Sequence, residues 1–321
     1  MHSDRSPTRS LARLAAAAGI PLSLALAPAT SGSAEPVSYH SATVRGIDVF
    51  YREAGPRSAP TVLLLHGFPT SSHMFRDLIP ELATDYHVIA PDYPGFGYSS
   101  QPTLSEFDYS FEALARVVDE LTAQIGVERY ALYMQDYGGP VGFRLALSHP
   151  ERVTGLIIQN ATIFAEGWNA EATRSFGPFW QNRTAETEAP MRALLKAETT
   201  QWQYTTGEAR PERLSPDAWT HAQRGLDRPG NEAIQLQYLW NYQDNLRQYP
   251  LWQDYLRVHQ PPVLVAWGRH DPFFTLAGVE RLQALVPGAE VHLYDAGHFA
   301  LESQRADMLP VIQAFLAKHL K

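Results

Sequence analysis

Residues 130–148 read YALYMQDYGGPVGFRLALS and predict a strand that turns abruptly into a helix. The first part is a continuous apolar run, the pattern of a strand covered on both faces, and the last part has helical periodicity. Asp136 falls in the turn between them, where Gly138 and Gly139 leave room for a close backbone approach. The segment therefore predicts an α/β sheet that presents a carboxylate at the carboxyl end of one strand.

The same alternation of short apolar runs and helical stretches extends over the rest of the chain. Residues 41–51 predict a hairpin of two strands that turns at Gly46. Further strand-like runs lie at residues 61–65, 87–90, 155–159, 263–267 and 290–294. Helical periodicity occurs at residues 111–124, 139–148, 279–286 and 306–319. Strands and helices in this order predict a mostly parallel sheet flanked by helices.

The alternation breaks between residues 162 and 259, where helix-compatible segments are rich in aromatic side chains, including six of the seven tryptophans. Most such rings fill a core, but a helical insert of this composition is also typical of a cap over an apolar pocket. We therefore divide the chain into a core at residues 35–161 and 260–321 and a helical cap at residues 162–259.

Composition argues against several classes of function. Among 321 residues, 26 are Lys or Arg and 34 are Asp or Glu, so the net charge is −8. An acidic chain without long basic runs is not expected to bind nucleic acid. The chain has no cysteine and no HExxH motif, so we expect no metal site and no cysteine nucleophile. The sequence carries no signal for oligomeric state.

Residues 1–34 have the features of a secretory signal peptide. Arg5, Arg9 and Arg13 precede an Ala/Leu-rich run, and small residues surround Ala34. The run is too broken by proline to predict a stable membrane span. We expect cleavage near Ala34 and a periplasmic or secreted protein.

Polar side chains follow four of the predicted strands at the point where each strand ends. The turns are HGFP at residues 66–69, QDYGG at 135–139, GRHDP at 268–272 and DAGHF at 295–299. Ligands of open parallel sheets bind beyond the carboxyl ends of the strands, so we expect these turns to converge on one site.

The side chains in these turns point to one class of reaction. An ionised carboxylate such as Asp136 can displace a leaving group from saturated carbon and form an alkyl ester, without a general base. His298, oriented by Asp271, would then activate the water that hydrolyses the ester. Backbone N–H groups of Phe68 and Tyr137 are placed to form the oxyanion hole of that second step.

Beyond residue 34 the chain resembles the α/β-hydrolase superfamily, and within it the group of haloalkane dehalogenases and epoxide hydrolases. The resemblance rests on HGFPTSSHMFRDLIP (66–80), PDYPGFGYSSQP (91–102), MQDYGGPVGFRLA (134–146), WGRHDPFF (267–274) and DAGHFALE (295–302). It implies the catalytic order Asp136, Asp271, His298, with the acid after the seventh strand. It also implies a helical cap after the sixth core strand, and neither a metal nor an organic cofactor.

Two positions depart from the dehalogenase pattern. Those enzymes typically have a tryptophan immediately after the nucleophile, where its indole N–H holds the halide, and this chain has Tyr137 there. Phe68 stands where many of them have a polar halide partner. A tryptophan of the cap, Trp168 or Trp180, could supply an indole N–H instead.

Epoxide hydrolases are the alternative, because the HGFP form is common among them and they protonate the ring oxygen with two cap tyrosines. Tyr204, Tyr238 and Tyr242 are the candidates in this chain. Gln135 counts against this alternative, since epoxide hydrolases more often have histidine at that position. We therefore take a dehalogenase-like hydrolase as the first hypothesis and epoxide opening as the second.

In either case the aromatic cap predicts a hydrophobic pocket for a small, uncharged, apolar electrophile, with water as the second substrate. An ester or lactone hydrolase and a non-catalytic ligand-binding relative are two further hypotheses. The turn has no serine or cysteine, which argues against the first of these. A complete set of Asp136, Asp271 and His298 argues against the second.

Overall fold

The computed structural model describes residues 36–320, so the predicted signal peptide at residues 1–34 lies outside the described residues. An eight-stranded sheet forms the centre of this part of the chain. The strands are β1 (Ser38–Val44), β2 (Ile47–Ala54), β3 (Thr61–Leu65), β4 (His87–Pro91), β5 (Tyr130–Gln135), β6 (Val153–Gln159), β7 (Val263–Gly268) and β8 (Glu290–Tyr294).

The sheet is mostly parallel, in the order β1-β2-β4-β3-β5-β6-β7-β8. The hairpin of β1 and β2 is antiparallel, β2 pairs antiparallel with β4, and the other neighbours run parallel. Leu65 of β3 lies opposite Met134 of β5, and Gln135 of β5 lies opposite Gln159 of β6. The carboxyl ends of these three central strands are therefore level, which brings their turns together.

The helices of the described residues flank this sheet or form the cap. In chain order they are α1 (Ile79–Leu82), α2 (Phe111–Gln124), α3 (Gly138–Ser148), α4 (Ala170–Gln181), α5 (Ala185–Ala193), α6 (Ala197–Thr205), α7 (Pro216–Leu226), α8 (Asn231–Asn241), α9 (Gln243–His259), α10 (Leu276–Leu285) and α11 (Ala300–His319). Short 3-10 helices lie at Ser72–Phe75, Pro150–Arg152, Ala165–Gly167 and Pro211–Arg213.

Local sequence predicts the bounds of helix α2 but not the start of helix α11. Helix α2 has its predicted bounds because Ser110 caps it, accepting the backbone N–H of Ala113 at 3.1 Å. Helix α11 begins six residues before the predicted start at residue 306. Ala300 and Leu301 are buried and hold this first turn on the core. The polar run ESQRAD at residues 302–307 interrupts the apolar periodicity, so the sequence pattern does not predict this turn.

Helices α4–α9 form a cap between β6 and β7, which confirms the predicted insertion after the sixth strand. Buried polar side chains of α8 fasten the cap to a core loop. The Tyr238 hydroxyl donates to the Pro94 carbonyl at 2.9 Å, and the amides of Asn231 and Gln235 both donate to the Gly95 carbonyl at 3.0 Å. Within residues 36–320, no helix has the length and apolar character needed to cross a membrane.

Candidate active site

The turns after β3, β5, β7 and β8 meet at the carboxyl edge of the sheet, beneath the cap. They bring Phe68, Asp136, Asp271 and His298 together, as the sequence predicts. Each of these residues is at least nine-tenths buried. The site is thus assembled from parts of the chain that are up to about 230 residues apart (68 to 298).

The turn at Asp136 is held in a sharply bent conformation. Asp136 has a φ of 48°, in the left-handed region that short polar residues tolerate better than most. A Cβ atom added to Gly138 would lie 2.2 Å from the carbonyl oxygen of Leu65, and one added to Gly67 would lie 2.3 Å from the Asp136 Cβ. These two glycines therefore allow the backbones of β3 and the turn to approach closely enough to expose the carboxylate.

His66, which was not among the predicted site residues, fixes the opposite side of the site. Burial lowers its pKa to about 3, so the imidazole is neutral. Its Nδ1 lies 2.9 Å from the Gly67 carbonyl, to which it donates, and its Nε2 accepts the Tyr93 N–H at 3.3 Å. These bonds orient the backbone N–H of Phe68 toward Asp136.

The two carboxylate oxygens of Asp136 have different surroundings. Oδ1 accepts the backbone N–H of Phe68 at 2.8 Å, and the backbone N–H of Tyr137 also lowers the pKa of the carboxyl. Oδ2 lies 3.8 Å from Nε2 of His298. Burial raises the pKa of Asp136 above its usual range, although His298 and the two N–H groups act in the opposite direction. One oxygen is thus held by the backbone while the other faces the imidazole.

His298 is bonded to Asp271 through its other nitrogen. Nδ1 of His298 lies 2.8 Å from Oδ2 of Asp271, and both side chains are almost fully buried. Oδ1 of Asp271 accepts the backbone N–H groups of Phe273 at 2.7 Å and Phe274 at 3.1 Å. Burial alone would lower the pKa of His298, but the carboxylates of Asp271 and Asp136 outweigh burial and raise it.

Asn160 completes the surroundings of Asp271, and the sequence analysis missed it. Its Nδ2 donates to Oδ2 of Asp271 at 2.8 Å, and its Oδ1 accepts the Gly268 N–H at 3.0 Å. It has a φ of 46° and directly follows β6. The signal that identified the other four turns, a polar residue just after a strand, could also have identified Asn160.

Gln135 contacts His298 on the side that faces Asp136. Its amide group lies 3.1 Å from Nε2 of His298. An amide N–H can donate to Nε2 only when that nitrogen is unprotonated, while Nδ1–H donates to Asp271. The contact therefore places a polar amide beside the nitrogen of His298 that faces Asp136.

A mostly apolar cavity lies between the core and the cap, directly above Asp136. Its lining consists of Phe68, Asp136, Tyr137, Trp168, Phe176, Leu194, Gln203, Leu239, Tyr242, Phe273, Phe274 and His298. Besides the catalytic pair, hydrogen-bonding side chains reach the lining from Tyr137, Trp168, Gln203 and Tyr242. The sequence analysis did not identify Gln203, which comes from cap helix α6.

The cap residues suggested by the sequence divide into two groups. Trp168 and Tyr242 line the cavity, but Trp168 already donates its indole N–H to the Tyr249 hydroxyl at 3.0 Å. Trp180, Tyr204 and Tyr238 are not part of the lining.

Each of these three side chains is engaged elsewhere. The indole N–H of Trp180 donates to the Leu239 carbonyl at 2.8 Å, and the Tyr238 hydroxyl donates to Pro94. Tyr204 stacks on Phe299 with 3.9 Å between the ring centres. Their rings pack the cap, which is the commoner role of buried aromatics, so the expectation that they bind substrate is corrected here.

A family model described as alpha/beta hydrolase fold matches residues 60–304. The chain belongs to the α/β-hydrolase superfamily. An uncharacterized hydrolase of Saccharomyces cerevisiae is 41% identical over 272 residues, which cover 83% of this chain and 92% of the relative. A haloalkane dehalogenase of Bradyrhizobium diazoefficiens is 41% identical over 120 residues, 37% of this chain and 38% of that protein.

Solved structures of α/β-hydrolases share the fold. A loop variant of a haloalkane dehalogenase from Bradyrhizobium elkanii matches with a TM-score of 0.72 and 23% identity, covering 88% of this chain and 97% of that one. The epoxide hydrolase CorEH matches with a TM-score of 0.70 and 22% identity, covering 88% and 99%. This chain is thus a hydrolase with haloalkane dehalogenase-like relatives.

Proposed function

We propose that this hydrolase uses Asp136 as a nucleophile on saturated carbon and His298 as the base that frees the product. The unequal surroundings of the two Asp136 oxygens carry the proposal. Oδ2 faces the imidazole of His298 at 3.8 Å, whereas Oδ1 is held by the N–H group of Phe68 at 2.8 Å. The oxygen that faces His298 can attack the substrate, and the oxygen held by a backbone N–H can carry the negative charge of the later oxyanion.

In the first step Oδ2 of Asp136 attacks a carbon that bears a leaving group. The C–Oδ2 bond forms, the bond to the leaving group breaks, and the leaving group departs with the bonding pair. No proton moves in this step, so it needs no base. Burial raises the pKa of Asp136, and a partly desolvated carboxylate is also a stronger nucleophile than a hydrated one.

In the second step water attacks Cγ of the ester and gives a proton to Nε2 of His298. The negative charge develops on Oδ1, where the backbone N–H of Phe68 stabilises it, and we expect the backbone N–H of Tyr137 to be the second donor. The intermediate collapses by breaking the Cγ–Oδ2 bond, and the alkoxide takes the proton from His298. Asp136 keeps the oxygen of the water and releases a proton to solvent.

The cavity selects a small, uncharged substrate, because aromatic and aliphatic side chains dominate its lining. The dehalogenase-like relatives support a haloalkane as the first candidate. A halide ion leaves without being protonated, which suits a cavity whose two tyrosines are weak acids. Burial raises the pKa of both Tyr137 and Tyr242 well above the usual range.

Epoxide opening is the second candidate, because the hydroxyl-bearing side chains Tyr137 and Tyr242 both line the cavity. Tyr242→Phe distinguishes the candidates, with Tyr204→Phe as the matched control outside the cavity. For an epoxide hydrolase, Tyr242→Phe is expected to slow turnover of styrene oxide at least tenfold, since a general acid contributes about 10²- to 10⁴-fold. For a dehalogenase, the same variant retains most of its activity on 1-bromobutane.

Isotope labelling tests the ester intermediate itself. A single turnover in H₂¹⁸O with enzyme in excess is expected to place the heavy oxygen in the carboxylate of Asp136 and the ordinary oxygen in the alcohol. Mass spectrometry of the peptide that contains Asp136 measures the label. Heavy oxygen in the alcohol and none in the peptide would mean that water attacks the substrate directly.

A further inference from the structure

Within residues 36–320, no indole N–H that lines the cavity is free to hold a leaving group. Trp168 donates its N–H to Tyr249, and Trp180 donates its N–H to Leu239, so neither is available without breaking a bond. Phe68 and Tyr137 occupy the two core positions near the nucleophile. Phe68 has no donor, and the hydroxyl of Tyr137 is buried and unpaired within residues 36–320, so the core offers a halide one side-chain donor and a second must come from the cap.

Gln203 has the properties of such a donor. It lines the same cavity as Asp136 and His298, and only 1% of its surface is exposed. Its Nε2 is buried and has no hydrogen-bond partner within residues 36–320. Buried amide groups are nearly always paired, so an unpaired one in an apolar cavity indicates a ligand atom as its partner.

Helix α6, which carries Gln203, is fixed to the rest of the protein at both ends. Thr200 hydrogen-bonds to Gln223 of α7 at 2.6 Å. Beyond the helix, Glu208 accepts the N–H of Gly297 at 3.0 Å. A Cβ added to Gly297 would lie 2.0 Å from the carbonyl oxygen of Thr206, so the two backbones are in direct contact.

Gly297 immediately precedes His298 in the chain. The C-terminal end of α6 is therefore attached to the turn that carries the catalytic histidine. This attachment fixes the backbone that carries Gln203 relative to the turn that carries His298. A donor that is positioned in advance stabilises developing charge without the cost of reorganisation.

We propose that Nε2 of Gln203 donates a hydrogen bond to the halide as it departs from carbon, in the role that an indole N–H has in haloalkane dehalogenases. This role rests on the proposed function. As the C–Oδ2 bond to Asp136 forms and the carbon–halogen bond breaks, the halide carries away the electron pair and the amide keeps its proton. Gln203 is thus a catalytic residue of the first step and has no part in the second.

The test measures the rate of the first step alone. In a His298→Gln background, intact mass spectrometry follows alkylation by 1-chlorobutane, 1-bromobutane and 1-iodobutane. Gln203→Met removes the donor while nearly preserving side-chain length, and Gln201→Met is the control on the exposed face of the same helix. Gln203→Met is expected to slow alkylation by about a hundredfold with the chloride, and by less with the iodide, the better leaving group.

The dependence on the halide separates a donor from a structural residue. Equal slowing with all three haloalkanes, or no slowing, would overturn the role of Gln203 while leaving Asp136 as the nucleophile. No adduct in the His298→Gln parent would overturn the proposed function, and with it any role for Gln203. As a second readout in the wild-type background, Gln203→Met is expected to weaken inhibition by added bromide at least tenfold. Unchanged inhibition would contradict the proposal even where the variant alkylates slowly.

Discussion

Nδ1 of His298 lies 2.8 Å from Oδ2 of Asp271, and this pair is buried beneath the cap. Burial alone would favour a neutral imidazole, but the neighbouring carboxylates reverse that preference and raise the pKa of His298. The pair therefore controls two properties at once: the tautomer of His298 and the pH at which it becomes a base.

The pH dependence of ester hydrolysis follows from this pair. His298 must be unprotonated to accept a proton from water, so the rate of the second step should fall at low pH, as His298 becomes protonated. Asp271→Asn removes a negative charge but not the burial, so the pKa of His298 falls and the acid limb moves to lower pH. The plateau rate should also fall, by about 10²- to 10⁴-fold, because the tautomer is no longer fixed. Single-turnover rates from pH 5 to 9 measure both effects, and an acid limb that does not move would contradict this account.

Asn160 is expected to act by positioning Asp271. Asn160→Gly tolerates the left-handed backbone but removes the bonds to Asp271 and Gly268. Loss of a hydrogen bond to a charged group costs about 1.5–3 kcal/mol, so the second step should slow by roughly 10- to 150-fold. Alkylation of Asp136 should change little.

Gln260→Gly is the matched control for Asn160→Gly, since Gln260 has a similar φ of 42° but lies at the end of α9, away from the cavity. Rapid-quench measurement of the two steps separates the effects. If Asn160→Gly slowed only alkylation, the positioning role would be wrong.

Gly138 is expected to be required for the turn, in contrast to Gly177 in cap helix α4. Gly138→Ala would force a Cβ to within 2.2 Å of a backbone oxygen, so it should destabilise the protein by about 1–3 kcal/mol and reduce turnover. Nothing lies within 4 Å of a Cβ added to Gly177, so Gly177→Ala should be neutral or stabilise by up to about 1 kcal/mol. Urea unfolding measures both changes. A Gly138→Ala protein as stable and active as the wild type would contradict the close approach.

The sequence was sufficient to predict the sheet and the side chains that meet at its carboxyl edge. Strands β3 and β8 have their predicted bounds, because their apolar runs are flanked by turn residues. The meeting of Asp136, Asp271 and His298 was predictable for a related reason: each lies in the turn that follows a strand, and the carboxyl ends of parallel strands lie at one edge.

The cap residues could not be predicted in the same way. Which face of a cap helix points into the cavity depends on how that helix packs, and local sequence does not encode it. Gln203 and Tyr204 are adjacent on α6, yet Gln203 lines the cavity while Tyr204 stacks on Phe299. The indole N–H of Trp180 is likewise bonded to a backbone carbonyl that only the folded chain brings close.

The most direct test of the nucleophile is the intact mass of His298→Gln protein after exposure to 1-bromobutane. We predict that the protein gains one butyl group without bromine, that peptide mapping places it on Asp136, and that no second turnover follows. A His298→Gln protein that also carries Asp136→Asn should gain nothing, since asparagine tolerates the left-handed turn but lacks a nucleophilic carboxylate. A folded His298→Gln protein that forms no adduct with 1-bromobutane or styrene oxide, or that turns over as fast as the wild type, would contradict the account.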